Sequence, residues 1–250
     1  MSGDELVLVD RPVERVAQVR LNRPERRNAL TGPLADRLVE VLTELDADDA
    51  VSVIAIGGAG GAFCSGLDLK AFNADPKPDW VADFGARWRR VHELLFDSDR
   101  IIVGALERAA VNGGAALALA CDFLVAGDGA FLQVGEIQQG MAAPMNTAWL
   151  RLRHTEAISA RVALLGDRIH GPELVRLGLA HASVADDEVW PEALALAERL
   201  AAHDPNGARR IKTALRRTGI DDDAEAWFRR PLDADPLALG SSAPVAAKDV

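Results

Sequence analysis

Apolar and polar positions first alternate with a period of two and then settle into a period near 3.6. Val16 to Leu21 (V-A-Q-V-R-L) alternates as a half-buried strand does, and Leu6 to Val9 reads as its neighbour. After a turn at Asn22-Arg23-Pro24-Glu25, a helix begins near Pro33, a residue suited to a first helical turn. Leu34, Leu38, Val41, Leu42 and Leu45 fall on one helical face. Val51 to Ile56 is apolar throughout and predicts a buried strand. A second helical stripe joins Trp80, Phe84, Trp88, Val91 and Leu95, and Ile101 to Leu106 is the next strand. A helix over Ala115–Ala120 and short strands at Phe123–Val125 and Phe131–Val134 follow. The rest is mainly helical, including Trp190–Ala202 and Gly207–Arg217; the pattern weakens from Pro231, and Ser241–Val250 predicts a loose tail. Strands alternate with helices, and glycines follow strands, which places the chain in the α/β class.

Composition narrows this picture. A chain of 250 residues, nearly half apolar, can bury one substantial core. The formal charge of −10 argues against non-specific nucleic-acid binding, which needs a basic face. The basic residues are almost all arginine, and a local arginine cluster still suits a small anionic ligand. The acidic start M-S-G-D-E-L has no apolar stretch behind it, so the expected location is the cytoplasm. The weakly apolar stretch Ala109–Ala126 carries Asn112 and Asp122 and reads as core, not as a membrane span. Cys64 and Cys121 fit no zinc spacing, the five histidines form no catalytic or metal pattern, and no metal or separate cofactor is expected.

Two glycine-rich segments follow strands: Gly57 to Lys70, and Asn112-Gly113-Gly114 inside A-A-V-N-G-G-A-A-L-A-L-A-C-D. Turns of this kind either simply connect strand to helix or aim backbone N–H groups at a shared point. Two converging N–H groups make an oxyanion hole, and an isolated carboxylate, Glu136, can then move a proton. The lesser alternative for Glu136 is a surface acid in a turn.

An ordered series of segments resembles the crotonase family, the enoyl-CoA hydratase/isomerase superfamily. It comprises L-N-R-P-E-R-R-N-A-L at Leu21 to Leu30, A-F-C-S-G-L-D-L at Ala62 to Leu69 and L-A-L-A-C-D at Leu117 to Asp122. It continues with G-E-I-Q-Q-G at Gly135 to Gly140 and L-L-G-D-R-I-H-G-P-E-L-V-R-L-G-L-A at Leu164 to Ala180. The resemblance implies repeated ββα units over residues 1–190, then a helical C-terminal part over 191–250 that supports a homotrimer or a dimer of trimers. It implies acyl-CoA substrates, with coenzyme A entering as part of the substrate, and enolate chemistry. The implied oxyanion hole is the backbone N–H of Leu67 and of Gly113, and the implied acid/base is Glu136. Arg23, Arg26 and Arg27 would lie along the CoA moiety, and Ala62, Ser65, Gly66, Asp68, Gly114 and Ala116 would line the substrate. Asp68 is also placed to cap the helix that follows it.

Four departures qualify the resemblance. The second catalytic glutamate of the hydratases falls on Ala116, which can neither hold nor activate water. The usual P-G-x-G-G stretch is replaced by M-A-A-P-M-N-T-A-W at Met141 to Trp149, with Gln138, Gln139 and Asn146 as polar candidates nearby. The usual Asn-Gly falls on Glu107-Arg108; the ungapped register to Cys121-Asp122 puts Asn112 at the first of the three family glycines. The last helix is expected to be shortened or absent, which leaves the lid over CoA in doubt. One base suffices for a double-bond shift, so isomerisation is expected over hydration. The alternatives are a true hydratase that recruits another group in place of Ala116, and a catalytically silent acyl-CoA binder.

Overall fold

A computed structural model describes residues 5–217 and 223–233 of the chain. Its main sheet has the order β1-β2-β3-β4-β6-β9. The strands are β1 (Val7–Val13), β2 (Val16–Leu21), β3 (Val53–Gly58), β4 (Ile101–Leu106), β6 (Phe123–Gly127) and β9 (Ala182–Val184). Within this sheet, among the described residues, only the β1–β2 hairpin is antiparallel; Val16 pairs Val53, Val53 pairs Ile101, Val103 pairs Phe123 and Val125 pairs Ala182, all in parallel ladders. A smaller sheet, β5-β7-β8, joins β5 (Ala109–Val111), β7 (Phe131–Gln133) and β8 (Ile169–His170).

The helices are α1 (Gly32–Ala47), α2 (Leu69–Phe72), α3 (Phe84–Asp97), α4 (Gly113–Ala120), α5 (Pro144–Arg153) and α6 (Glu156–Leu165). They continue with α7 (Gly171–Arg176), α8 (Val189–Ala201), α9 (Pro205–Arg217) and α10 (Ala224–Asp233). The apolar stripe of α1 is buried as its spacing predicts, and Thr31 caps its start by accepting from the Leu34 N–H at 3.4 Å. A parallel sheet needs cover on both faces. On one face α8 lays Val189, Ala193, Leu196 and Ala197 against Val53, Ala55, Val103 and Val125. On the other, α1, α3, α4, α5 and α10 enclose the larger core around Leu38, Phe63, Leu95 and Trp149.

The expected ββα repeat is visible as β1-β2-α1, β4-β5-α4 and β6-β7-α5. In the unit built on β3 the second strand shrinks to a single bridge, Cys64 to Ala110, which joins the small sheet. Two sequence expectations change. Trp80 does not share a helix with Trp88: it sits in a 3-10 turn (Asp79–Ala82) that follows Pro78, and Asp83, with φ −122° and ψ 9°, breaks the helical path before α3 starts at Phe84. β5, too short and alanine-rich to show alternation, lies inside the stretch read only as core. α10, over Ala224–Asp233, is anchored by buried Trp227 and Phe228, where Trp227 Nε1 donates to the Ala148 carbonyl at 3.3 Å; the expectation of a shortened or absent last helix lies outside the described residues. The tail Ser241–Val250 lies outside the described residues.

Candidate active site

The two glycine turns meet where β3 and β4 end. Leu30 bridges Leu67 in parallel: the Leu30 N–H donates to the Gly66 carbonyl at 2.8 Å, and the Asp68 N–H donates to the Leu30 carbonyl at 2.9 Å. Those bonds occupy one edge of the strand and leave the Leu67 N–H on the other. Gly66 has φ +86°, and a Cβ there would lie 2.8 Å from the Val111 carbonyl oxygen, so this turn needs glycine both for its dihedral and for its closeness to the second segment. At Gly114 a Cβ would come within 2.4 Å of the Cys64 carbonyl oxygen. The Cys64 N–H donates to Ala109 O and the Val111 N–H to Cys64 O, both at 3.0 Å, so main-chain bonds lock the two turns together.

Gly113 opens α4, a position whose N–H has no acceptor inside its own helix. Among the described residues, no backbone acceptor takes the N–H of Leu67 or of Gly113. A Cβ on Gly113 would fall 2.7 Å from Leu30 Cδ1 and 3.4 Å from Trp88 Nε1, so Leu30 and Trp88 flank this turn. Trp88, a member of the second helical stripe, thus brings a buried indole N–H without a partner to the same place.

Glu136 opens a 3-10 turn, Glu136–Gln139, whose cap is Gly135. Three bonds tie this turn to the second glycine segment. The Gly135 N–H donates to Asn112 Oδ1 at 2.8 Å, the Asn112 N–H donates to Gln133 O at 2.8 Å, and Asn146 Nδ2 donates to the Asn112 carbonyl at 3.1 Å. Asn112 holds φ 52°, ψ −111°, a backbone state that glycine enters freely and asparagine rarely. Asn146 Nδ2 also donates to Glu136 Oε1 at 2.9 Å. Glu136 Oε2 and Asn146 Oδ1 are buried and unpartnered. Burial pushes the Glu136 carboxyl up to about 7, against the opposing pull of a backbone N–H and the Asn146 amide. A carboxyl poised there takes and returns a proton near neutral pH. The surface-acid alternative for Glu136 does not describe a carboxyl oxygen shut away from solvent.

Ala116 is fully buried, and its N–H donates to the same Asn112 carbonyl at 3.0 Å. No second carboxylate stands there. Of the polar candidates after Glu136, Gln138 turns to the Gly166 carbonyl at 2.8 Å, while Asn146 reaches the glutamate.

The arginine segment is organised differently from a free basic cluster. Asp68, 4% exposed, accepts from Arg23 Nη2 and Arg26 Nη2, each at 3.0 Å, and from the Ala71 N–H at 3.1 Å. It therefore caps α2, as its spacing suggests, and also clamps two of the arginines. Burial raises its carboxyl, but Arg26, the Ala71 N–H and Arg23 outweigh that and hold it below the ordinary range. Arg27 is exposed in a left-handed conformation, φ 49°. Asn28, fully buried and absent from the sequence-derived candidates, staples the segment to the first glycine turn by donating to Ala59 O and Ala62 O at 3.0 and 2.7 Å. Ser65 Oγ bonds the Arg26 carbonyl at 3.3 Å.

A family model for enoyl-CoA hydratase/isomerase matches residues 12–229. The chain belongs to the enoyl-CoA hydratase/isomerase family. A candidate enoyl-CoA hydratase of Thermus thermophilus is 32% identical over 235 residues, covering 87% of this chain and 90% of that protein. An enoyl-CoA hydratase/isomerase structure from Xanthobacter autotrophicus Py2 is 27% identical with a TM-score of 0.83, covering 96% of this chain and 89% of that one. A monofunctional enoyl-CoA isomerase from M. smegmatis is 27% identical with a TM-score of 0.72, covering 90% and 98%. The crotonase-like fold and an enzymatic family are thus established for the chain, and its relatives carry both hydratase and isomerase names. Among the described residues no helix is long and apolar enough to cross a membrane, and no group of three or more His, Cys, Asp or Glu could hold a metal ion. Cys64 and Cys121 are free and buried, and burial pushes both thiols up to about 12, far from a reactive thiolate.

Proposed function

We propose that this family member forms an enolate from an acyl-CoA thioester. The N–H groups of Leu67 and Gly113 hold the thioester oxygen, and Glu136 moves the proton. Negative charge that develops on the oxygen meets two fixed donors, and such preorganised donors act most strongly where water is excluded. The observation that carries the reading is the buried Glu136 carboxyl, poised near 7 and tied through Asn146 to the peptide that bears the Gly113 N–H. A double-bond shift needs only this one base, which removes a proton from one carbon and returns it to another. With Ala116 beside it, isomerisation is therefore favoured over water addition. Arg23, Arg26 and Arg27 are the proposed partners of the CoA phosphates, with Asp68 setting the orientation of the first two.

The decisive experiment is α-proton exchange of a saturated acyl-CoA in deuterated water, because it needs only enolate formation. The base must start as carboxylate, so kcat/KM should rise with pH and level off above about 7, where Glu136 is ionised. Binding without exchange at any pH is the result expected of a silent acyl-CoA binder. Affinity for acyl-CoA, measured by calorimetry, should fall as salt rises, since phosphate–arginine attraction is screened. Binding that ignores salt, or no binding at low salt, would remove the arginine segment from the reading.

A further inference from the structure

Asn146 shares a hydrogen-bond acceptor with Ala116, the position where this chain lacks a second acid. Asn146 is 1% exposed, on the first turn of α5, and its Nδ2 splits its two hydrogens between the Asn112 carbonyl and Glu136 Oε1. The Ala116 N–H converges on that same Asn112 carbonyl, so the Asn146 amide lies one hydrogen-bonded step from the position where Ala116 offers no side-chain polar group. The bond from Asn146 to Glu136 leaves one oxygen on each partner, Oδ1 and Oε2. Both are buried acceptors without a donor. Buried acceptors of this kind are ordinarily satisfied by a protein group, a water or a ligand.

We infer that Asn146 Oδ1 and Glu136 Oε2 together hold one water molecule by its two hydrogens and give the site a second, slower activity, the addition of water to a 2-enoyl-CoA. Two acceptors that take both hydrogens leave an oxygen lone pair for attack, and so they orient the nucleophile. The water oxygen bonds to C3 and the C2=C3 π pair moves onto the thioester as an enolate. The water proton on the Glu136 side passes to Oε2. Glu136 then delivers a proton to C2, and the product gains one H and one OH, with Glu136 returned to carboxylate. Asn146 accepts a hydrogen bond throughout and is never itself protonated. Isomerisation uses Glu136 without this water, so the two activities part at Asn146. The inference rests on Glu136 as the proton carrier of the proposed enolate chemistry.

The test compares three proteins, wild type, Asn146→Ala and Asn146→Asp, in two assays: hydration of crotonyl-CoA and α-proton exchange of butyryl-CoA in deuterated water. Wild type should show both. Asn146→Ala removes the acceptor and should depress hydration by roughly 10²-fold, the scale of a misplaced reactant, and exchange by much less. Asn146→Asp keeps an oxygen in place, so both rates should fall together while their ratio stays near that of wild type. That variant decides the matter if Asn146→Ala does not fold, as judged by circular dichroism. An equal loss of both activities in Asn146→Ala would mean that Asn146 only positions Glu136, for example by accepting directly from its protonated form, and would overturn the inference. A collapsed ratio in Asn146→Asp would overturn it too. Exchange without any hydration in wild type overturns this inference and leaves the enolate reading standing. Neither activity in wild type removes both.

Discussion

Glu136→Gln should lower α-proton exchange by a factor of about 10² to 10⁴, the usual cost of losing a general base. Acyl-CoA affinity should stay within a few-fold, because the proposed oxygen-holding groups are backbone N–H groups that the substitution does not touch. Thermal stability should hold or rise. The folded carboxyl lies near 7, above its ordinary value, so as pH rises through the interval between the two the folded state loses ground relative to the unfolded one. Glutamine removes that penalty and preserves the shape. Stable, ligand-binding and nearly inactive protein is the expected combination, read from exchange rates, calorimetry and a melting curve. Equal exchange in variant and wild type would take the base role away from this residue.

Asp122→Asn should cost about 3 to 5 kcal/mol, the range for breaking a buried ion pair from one side. On a chain of this length that corresponds to a melting point lower by roughly 6 to 20 °C. Asp122 Oδ1 accepts from Arg153 Nη2 at 3.0 Å and from Arg216 Nη2 at 2.8 Å, while Oδ2 takes Lys212 Nζ and the Ile102 N–H, each at 2.8 Å. One carboxylate thus pairs with three cations that converge from α5 and α9. Burial depresses Arg216 to about 10 and lowers Lys212 as well, so the cations already crowd one another. Without Asp122 they would face each other unpaired. Lys212→Met should cost far less, because Asp122 keeps two arginines. Burial raises the Asp122 carboxyl, but Lys212, Arg153 and Arg216 more than reverse that, leaving it below the ordinary range. Its contribution is therefore complete above about pH 4, the ordinary carboxyl value, and fades as pH falls below it. Urea unfolding at neutral pH and in acid checks both the size and the sign. A loss for Asp122→Asn no greater than for Lys212→Met would show that the cluster is not organised around the carboxylate.

What the sequence shows and what it hides follows from the range of the interactions. The α1 stripe and the glycine turns are legible because each is decided within one or two turns of chain. Trp80 joins the α3 stripe by spacing alone, because the non-helical backbone of Asp83 (φ −122°, ψ 9°) that separates it from that helix leaves no mark on the period. β5 escaped because three small residues carry no period, and only the pairing with β7 makes it a strand. Glu136 could be named from its motif, but its burial comes from neighbours brought together by the fold. Asn146 could be listed as polar but not placed, since its partners lie 34 and 10 residues away and depend on where α5 docks. Asp122 sits in a recognisable motif, yet Arg216 reaches it across 94 residues. The arginine segment read as a free basic patch because Asp68, which clamps it, appeared in sequence only as a helix cap.

The two halves of the site are built from different materials. The turns that carry Leu67 and Gly113 are fastened to each other through main-chain bonds at Cys64, Ala109 and Val111 and through the Leu30–Leu67 bridge. Glu136 is steered by side-chain amides, those of Asn112 and Asn146. A point mutation cannot easily rewrite a backbone ladder, but it can exchange an amide for another group in a single step. The half proposed to hold the oxygen can thus be inherited nearly unchanged while the half proposed to move the proton drifts. A lineage built on this frame can try out new reactions one side chain at a time, with little risk to folding.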